Sequence, residues 1–162
     1  MNIMRMTYRE LKDEIAKIIP RNIEYEVDLE AGNIAIITTN MKPFTGQDGL
    51  IGKIARRVKR KIVLRTPIDS MMDIDKASDV IHEIIPEEAD ITEMYFDACY
   101  REVTIQCRQP GTAIGRRGDN SNAIRDKTGW AVKVERTPPL FSKTVHDIRM
   151  YRCLLYTSDA AD

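Results

Sequence analysis

Histidine is nearly missing from this chain: His82 and His146 are the two present in 162 residues, and they stand far apart. Metal-assisted hydrolysis needs His and Asp clustered at ligand spacing, and the sequence has no such set. No Ser-His-Asp or Cys-His spacing stands out either, so the residues at hand argue against an enzyme. Cysteine is scarce as well. Of the three, Cys153 lies in an anomalous tail, which leaves Cys99 and Cys107 with no Cys-x-x-Cys pairing. Both read as reduced thiols, buried or half-buried at a predicted hairpin, of a cytoplasmic protein. No apolar run approaches the length of a membrane span, and Met1-Asn2-Ile3-Met4-Arg5-Met6 is too short and mixed for a secretory signal, so no membrane partner is expected. Aromatics are 6% of the sequence, which leaves ring stacking a minor means of recognition. Net charge is absent too: 25 basic residues balance 25 acidic ones. That excludes a surface coated in polyanion and leaves only local patches.

The last ten residues, from Cys153-Leu154-Leu155-Tyr156 to Ala160-Ala161-Asp162, resemble nothing upstream. They read as the translation of a sequencing-library adapter. We therefore expect 153–162 to be an artefact and the native coding sequence to be cut near Arg152. A native disordered end is the other reading.

What is present is one pattern, used twice. Ile18-Ile19-Pro20 recurs as Ile84-Ile85-Pro86, and Arg65-Thr66-Pro67 recurs as Arg136-Thr137-Pro138, at offsets of 66 and 71 residues. In the first copy, Leu11, Ile15, Ile18 and Ile19 share a face of a helix over 8–19, which Pro20 ends. Alternation over Ile23–Val27, a turn at Glu30-Ala31-Gly32-Asn33 and a return strand over Ile34–Thr38 predict a hairpin. A second helix presents Ile51, Ile54, Ala55 and Val58, and Ile62-Val63-Leu64 is a third strand. The second copy repeats the order. A helix turns Val80, Ile81, Ile84 and Ile85 inward, and Ile91–Phe96 pairs with Glu102–Cys107. A short helix over Pro110–Ile114 follows, then a helix to about Lys127, capped by Asp119 or Asn120 and stopped by Gly129. The strand Ala131–Glu135 points Val132 and Val134 inward. Each copy is small for an independent core, so packing of the copies on each other, or a dimer, is expected.

Between the second copy's two helices lies Ile114-Gly115-Arg116-Arg117-Gly118. Glycines let backbone approach a ligand closely, two arginines between them make that ligand anionic, and a helix N-terminus favours phosphate. The corresponding Gly46-Gln47-Asp48-Gly49 keeps the glycines but replaces the cations with an acid, which reads as a degenerate loop. The second helix of the first copy is strongly basic: Lys53 to Arg65 holds seven basic residues and no acid. Lys53, Arg56, Arg57 and Arg60 fall away from Ile54 and Val58, either as a solvated face or as a secondary track for nucleic-acid backbone. Asp73 to Asp97, with nine acids against Lys76, reads as solvated surface or a partner of that basic helix. Trp130 could stack on a base, but a core-edge anchor is the favoured reading.

A Gly-x-x-Gly loop that clamps four backbone nucleotides marks the KH module. The element order resembles its type II form: an α+β fold of two tandem type II KH-like units, helix-strand-strand-helix-helix-strand, each a three-stranded sheet covered by helices on one face. The first unit spans 1–69 and the second 70–138. Ile84-Ile85-Pro86-Glu87-Glu88-Ala89, Ile114-Gly115-Arg116-Arg117-Gly118, Thr128-Gly129-Trp130, Arg136-Thr137-Pro138-Pro139 and Ser142-Lys143-Thr144-Val145 extend the likeness. Together they resemble the N-terminal region of the archaeal beta-CASP ribonucleases related to the cleavage and polyadenylation specificity factor. The resemblance implies that 139–152 is a connector toward a metallo-β-lactamase nuclease domain that would hold zinc, while this part needs no cofactor. It implies single-stranded RNA binding by Ile114, Gly115, Arg116, Arg117, Gly118, Asn120, Lys127 and Lys133, in mRNA 3′-end formation and transcription termination. A homodimer and docking to RNA polymerase are implied partners. Two other readings stay open: a structural or assembly module, and the KH pair of a transcription elongation or ribosomal protein.

Overall fold

The structure, a computed structural model, describes the backbone of residues 6–46 and 48–159 and the side chains through Tyr151. The chain divides after Pro67 into two compact units. The first runs α1 (Tyr8–Ala16), β1 (Glu26–Glu30), β2 (Asn33–Ile37), α2 (Leu50–Val58) and β3 (Ile62–Arg65). The second runs α3 (Ile74–Ile84), β4 (Ile91–Asp97), β5 (Glu102–Cys107), α4 (Pro110–Ile114), α5 (Asp119–Thr128), β6 (Ala131–Arg136) and α6 (Lys143–Asp159). Both units have the expected α+β, KH-like architecture, with strand orders β1-β2-β3 and β4-β5-β6. In each the middle strand is antiparallel to its predecessor and parallel to its successor. A parallel pair needs a crossover, supplied by α2 in the first unit and by α4 and α5 in the second. No helix among the described residues is long and apolar enough to cross a membrane.

In the first unit, Thr7 and Glu10 close a capping box at the start of α1. Regular helix ends at Ala16, three residues short of the expected Ile19, because the chain tightens: the Ile18 N–H donates to the Ile15 carbonyl at 3.0 Å. Strand β1 starts three residues later than the alternation suggested. Ala31 and Gly32 both have positive φ, 44° and 89°, as a two-residue hairpin turn requires. That turn pairs Glu30 with Asn33 and so sets the register, while Ile23 and Tyr25 pack on the core from outside the strand.

In the second unit, the inward stripe of α3 is Ala77 and Ile81, continued by the buried Ile85 just past its end. Val80, expected inward, is half-buried: four-residue spacing from the small Ala77 aligns the stripe one position away from it. Val103, Ile105, Cys107, Ala113 and Ile124 are fully buried. Trp130 is 1% exposed, donates its indole N–H to the Met72 carbonyl at 2.9 Å and meets Phe96 edge-on at 5.0 Å. It is a core anchor and is closed to base stacking. Burial pushes the Cys107 thiol above its usual range. Cys99, expected buried or half-buried, is exposed, since it sits in the β4–β5 turn rather than on a strand.

Helix α6 begins within the expected connector and lies against β4, on the sheet face opposite the core. The Tyr95 hydroxyl and His146 Nδ1 are 3.2 Å apart, and Arg149 reaches Glu135 at 3.2 Å while lying over the Tyr95 ring. The helix backbone continues without a break through 153–159.

Candidate nucleic-acid interface

The loop that joins α4 to α5 is built from its backbone angles. Pro110 starts α4 with its φ already set for a helix. Gly115 ends it, at φ 78° and ψ 176°, with its N–H donated to the Gly111 carbonyl at 3.1 Å. The next three residues form a tight turn, closed by Gly118 N–H donating to the Gly115 carbonyl at 3.3 Å. Arg117 and Gly118 both sit in the left-handed region, at φ 54° and 83°. An arginine held there costs about 1–2 kcal/mol, so the surrounding turn must enforce it.

The two glycines serve different ends. A Cβ on Gly115 would lie 2.8 Å from Cγ of Asn120, whereas one on Gly118 would meet nothing closer than 3.8 Å. Asn120 is a strut: its Nδ2 donates to the Thr112 carbonyl at 3.2 Å and ties α5 back to α4. Neither Asp119 nor Asn120 caps α5 as expected. The N-cap is Gly118, which has no side chain to accept a hydrogen bond, and Asp119 and Asn120 already lie inside the helix. The first-turn N–H groups of α5 therefore lack a side-chain acceptor, which is the condition under which a helix start receives an anion. Gly129, at φ 80°, stops α5 as expected.

Arg116 and Arg117 are exposed and have no ion-pair partner among the described residues. Asp119, in the first turn of α5, offsets part of their charge. Ile114 is 38% exposed and adds an apolar edge beside the turn. Ile114 to Gly118 and Asn120 are thus brought together. Lys127 is exposed in the last turn of α5, about 12 Å along the axis from Asp119 at 1.5 Å per residue. Lys133 alternates with the half-buried, core-packed Val132 and Val134, so it stands on the face opposite the core, paired with Glu135 at 2.7 Å. The geometry gathers neither lysine to the turn.

The first unit builds its loop differently. A 3-10 turn, Lys42–Phe44, replaces the short helix, and Phe44 is fully buried. Gly49 has φ −59° and is glycine for space: a Cβ would come within 2.4 Å of the Phe44 carbonyl oxygen. Gly46 has φ 95°, Gln47 lies outside the described residues, and Asp48 is exposed. On α2, Lys53, Arg56 and Arg57 are exposed. Arg60, expected on the same helix side, falls beyond the helix, which ends in a left-handed Lys59 at φ 51°. Arg57 is held at 2.5 Å by Glu14, a carboxylate kept below its ordinary range first by Lys17 and then by Arg57.

Sequence reasoning missed the left-handed Arg117 and the carbonyl partners Gly111 and Thr112. Their role is carried by backbone, and no side-chain pattern announces it. Among the described residues no group of three or more His, Cys, Asp or Glu is placed to hold a metal ion.

Residues 5–72 match the family model described as the KH domain of transcription termination factor FttA. Over 141 residues the chain is 39% identical to transcription termination factor FttA of Methanothermobacter thermautotrophicus, covering 86% of this chain and 22% of that protein. It is 33% identical over 142 residues to the proteins of the same name from Thermococcus kodakarensis and Pyrococcus abyssi, each time covering 87% of this chain and 22% of the relative. The chain spans about a fifth of the length of the curated relatives it matches.

Proposed function

We propose that this chain is the single-stranded RNA-binding part of a transcription termination factor. The Gly115–Gly118 turn clamps the sugar–phosphate chain. The observation that carries this is the turn itself, a strained backbone that sets two unpaired, exposed guanidinium groups at the uncapped start of α5. A phosphate there meets first-turn N–H groups and two charge-assisted donors together. Base stacking adds little, since Trp130 is inside the core. The likeness to proteins named as transcription termination factors supports the biological setting.

In the longer protein, the remaining sequence would supply a zinc-dependent nuclease to which this part delivers RNA. The described residues of this chain offer no set that suits zinc, so the proposed cleavage is assigned to that remaining sequence alone. One observation favours a second reading, an assembly module that dimerises or docks to RNA polymerase: Leu140 and Phe141 are 83% and 70% exposed beside α6.

The decisive measurement is binding of a five-nucleotide RNA by the chain carrying Arg116→Asp and Arg117→Asp. Binding should be lost with circular dichroism unchanged, and the wild-type salt slope should be on the order of −2, for about three phosphates at 0.7 each. Undiminished binding by the double variant overturns the reading. Polymerase capture that survives the same substitutions would favour the assembly module.

A further inference from the structure

We propose that the first unit carries a second site, a phosphate track formed by Lys53, Arg56, Lys59, Arg60 and Lys61, which holds a flanking stretch of strand without reading its sequence or its sugar. This rests on the reading above that the chain binds single-stranded RNA, and it concerns surface which that reading leaves unused.

Charge is divided unevenly along the chain. Up to Pro67 there are 13 basic and 8 acidic residues, and after it 12 basic and 17 acidic ones. The unit with the intact loop is therefore net negative, and long-range attraction for a polyanion has to come from the first. Within the first unit the seven cations of 53–65 are not equivalent. Arg57 is engaged by Glu14, and Arg65 is paired at 3.0 Å with Glu30, both partners of that second pair being less than a tenth exposed. The other five are exposed and have no acidic partner among the described residues.

These five follow one another along α2 and the turn after it. Ile54 and Val58 are buried, which turns Lys53 and Arg56 to the outer side of α2. The left-handed Lys59 then ends the helix, and Arg60 and Lys61 follow in the turn before β3. Arg56 Nε donates to the Gly52 carbonyl at 3.1 Å, which holds its stem along the helix and leaves the terminal nitrogens for an oxyanion. Neither Asp48 nor Gly49 has a positive φ, so among its described residues the first unit's loop has no left-handed pair like Arg117-Gly118. Cations that meet only phosphodiesters supply a sequence-independent attraction and do not distinguish base edges or a 2′-hydroxyl.

The test compares the whole chain with its Lys53→Gln, Arg56→Gln, Arg60→Gln variant on three probes: a U20 RNA, a dT20 DNA and a U5 RNA. Losing three contacts should lower the magnitude of the U20 salt slope by about 2, and the low-salt affinity about ten- to a hundredfold. The dT20 affinity should fall by a similar factor, and U5 binding should be unchanged. An unaltered U20 slope overturns the track. So does equal loss of U5 and U20, which would mean a single site, and so does a loss confined to RNA. U5 binding retained by the Arg116→Asp, Arg117→Asp variant overturns the loop reading instead, so the two failures are separable.

Discussion

Gly115 and Gly118 bracket the same two arginines, yet a methyl group at each would meet a different obstacle. At Gly115 it meets both an unfavourable backbone region and the Asn120 side chain at 2.8 Å, and at Gly118 it meets backbone strain alone. We expect Gly115→Ala to destabilise the protein by about 3 kcal/mol, the upper end for a side chain in that region, because strain and overlap add. Gly118→Ala should cost about 1–2 kcal/mol. Urea unfolding with an unchanged m-value checks both, and Asn120→Ala should recover part of the loss in the Gly115→Ala background but none in the other. Equal costs would show that Asn120 is not the obstacle. At this scale the sequence singled out the two glycines but not what each is for. The two glycines look interchangeable as letters, and φ, ψ and the neighbour at 2.8 Å separate them.

Among the elements, α6 is docked by polar contacts rather than by a buried apolar stripe. Val145 and Ile148 remain 47% and 58% exposed, while His146 and Arg149 meet Tyr95 and Glu135. Glu135 is held below the ordinary carboxylate value of 4.5, first by its hydrogen bond from Lys133, with burial opposing and Arg149 assisting. A carboxylate with a depressed folded-state pKa contributes stability that is complete above its unfolded value and is lost as pH falls through the folded value. Amide-exchange protection over 143–151 should therefore fall below about pH 4.5, and Glu135→Gln should remove that pH dependence. Protection in the variant that still falls with acid would place the cause elsewhere. The docking was not legible in advance. It joins residues about fifty positions apart, and 139–152 read as a connector through the family resemblance, which carries no information about what the segment packs against.

For the molecule as a whole, the two units have separate cores, one around Ile15, Ile36, Phe44 and Ile54 and one around Ile81, Val103, Ile105 and Trp130. Ile54→Ala, at a fully buried site, should cost the first unit about 2–5 kcal/mol and leave the Gly115–Gly118 amide resonances in place. Shifted loop resonances would mean that the cores are coupled. Hydrophobic periodicity, prolines and turn glycines by themselves determined the element order, the α+β class and the position of the Gly-Arg-Arg-Gly turn, since these depend on neighbours in sequence. Tertiary structure alone decided which cations are free and which are engaged. Glu14 takes Arg57 from 43 residues away and Glu30 takes Arg65 from 35, and an aromatic that could have met a base is sealed against Phe96. Pairing and burial depend on proximity in space, and distant segments acquire that only when the chain packs.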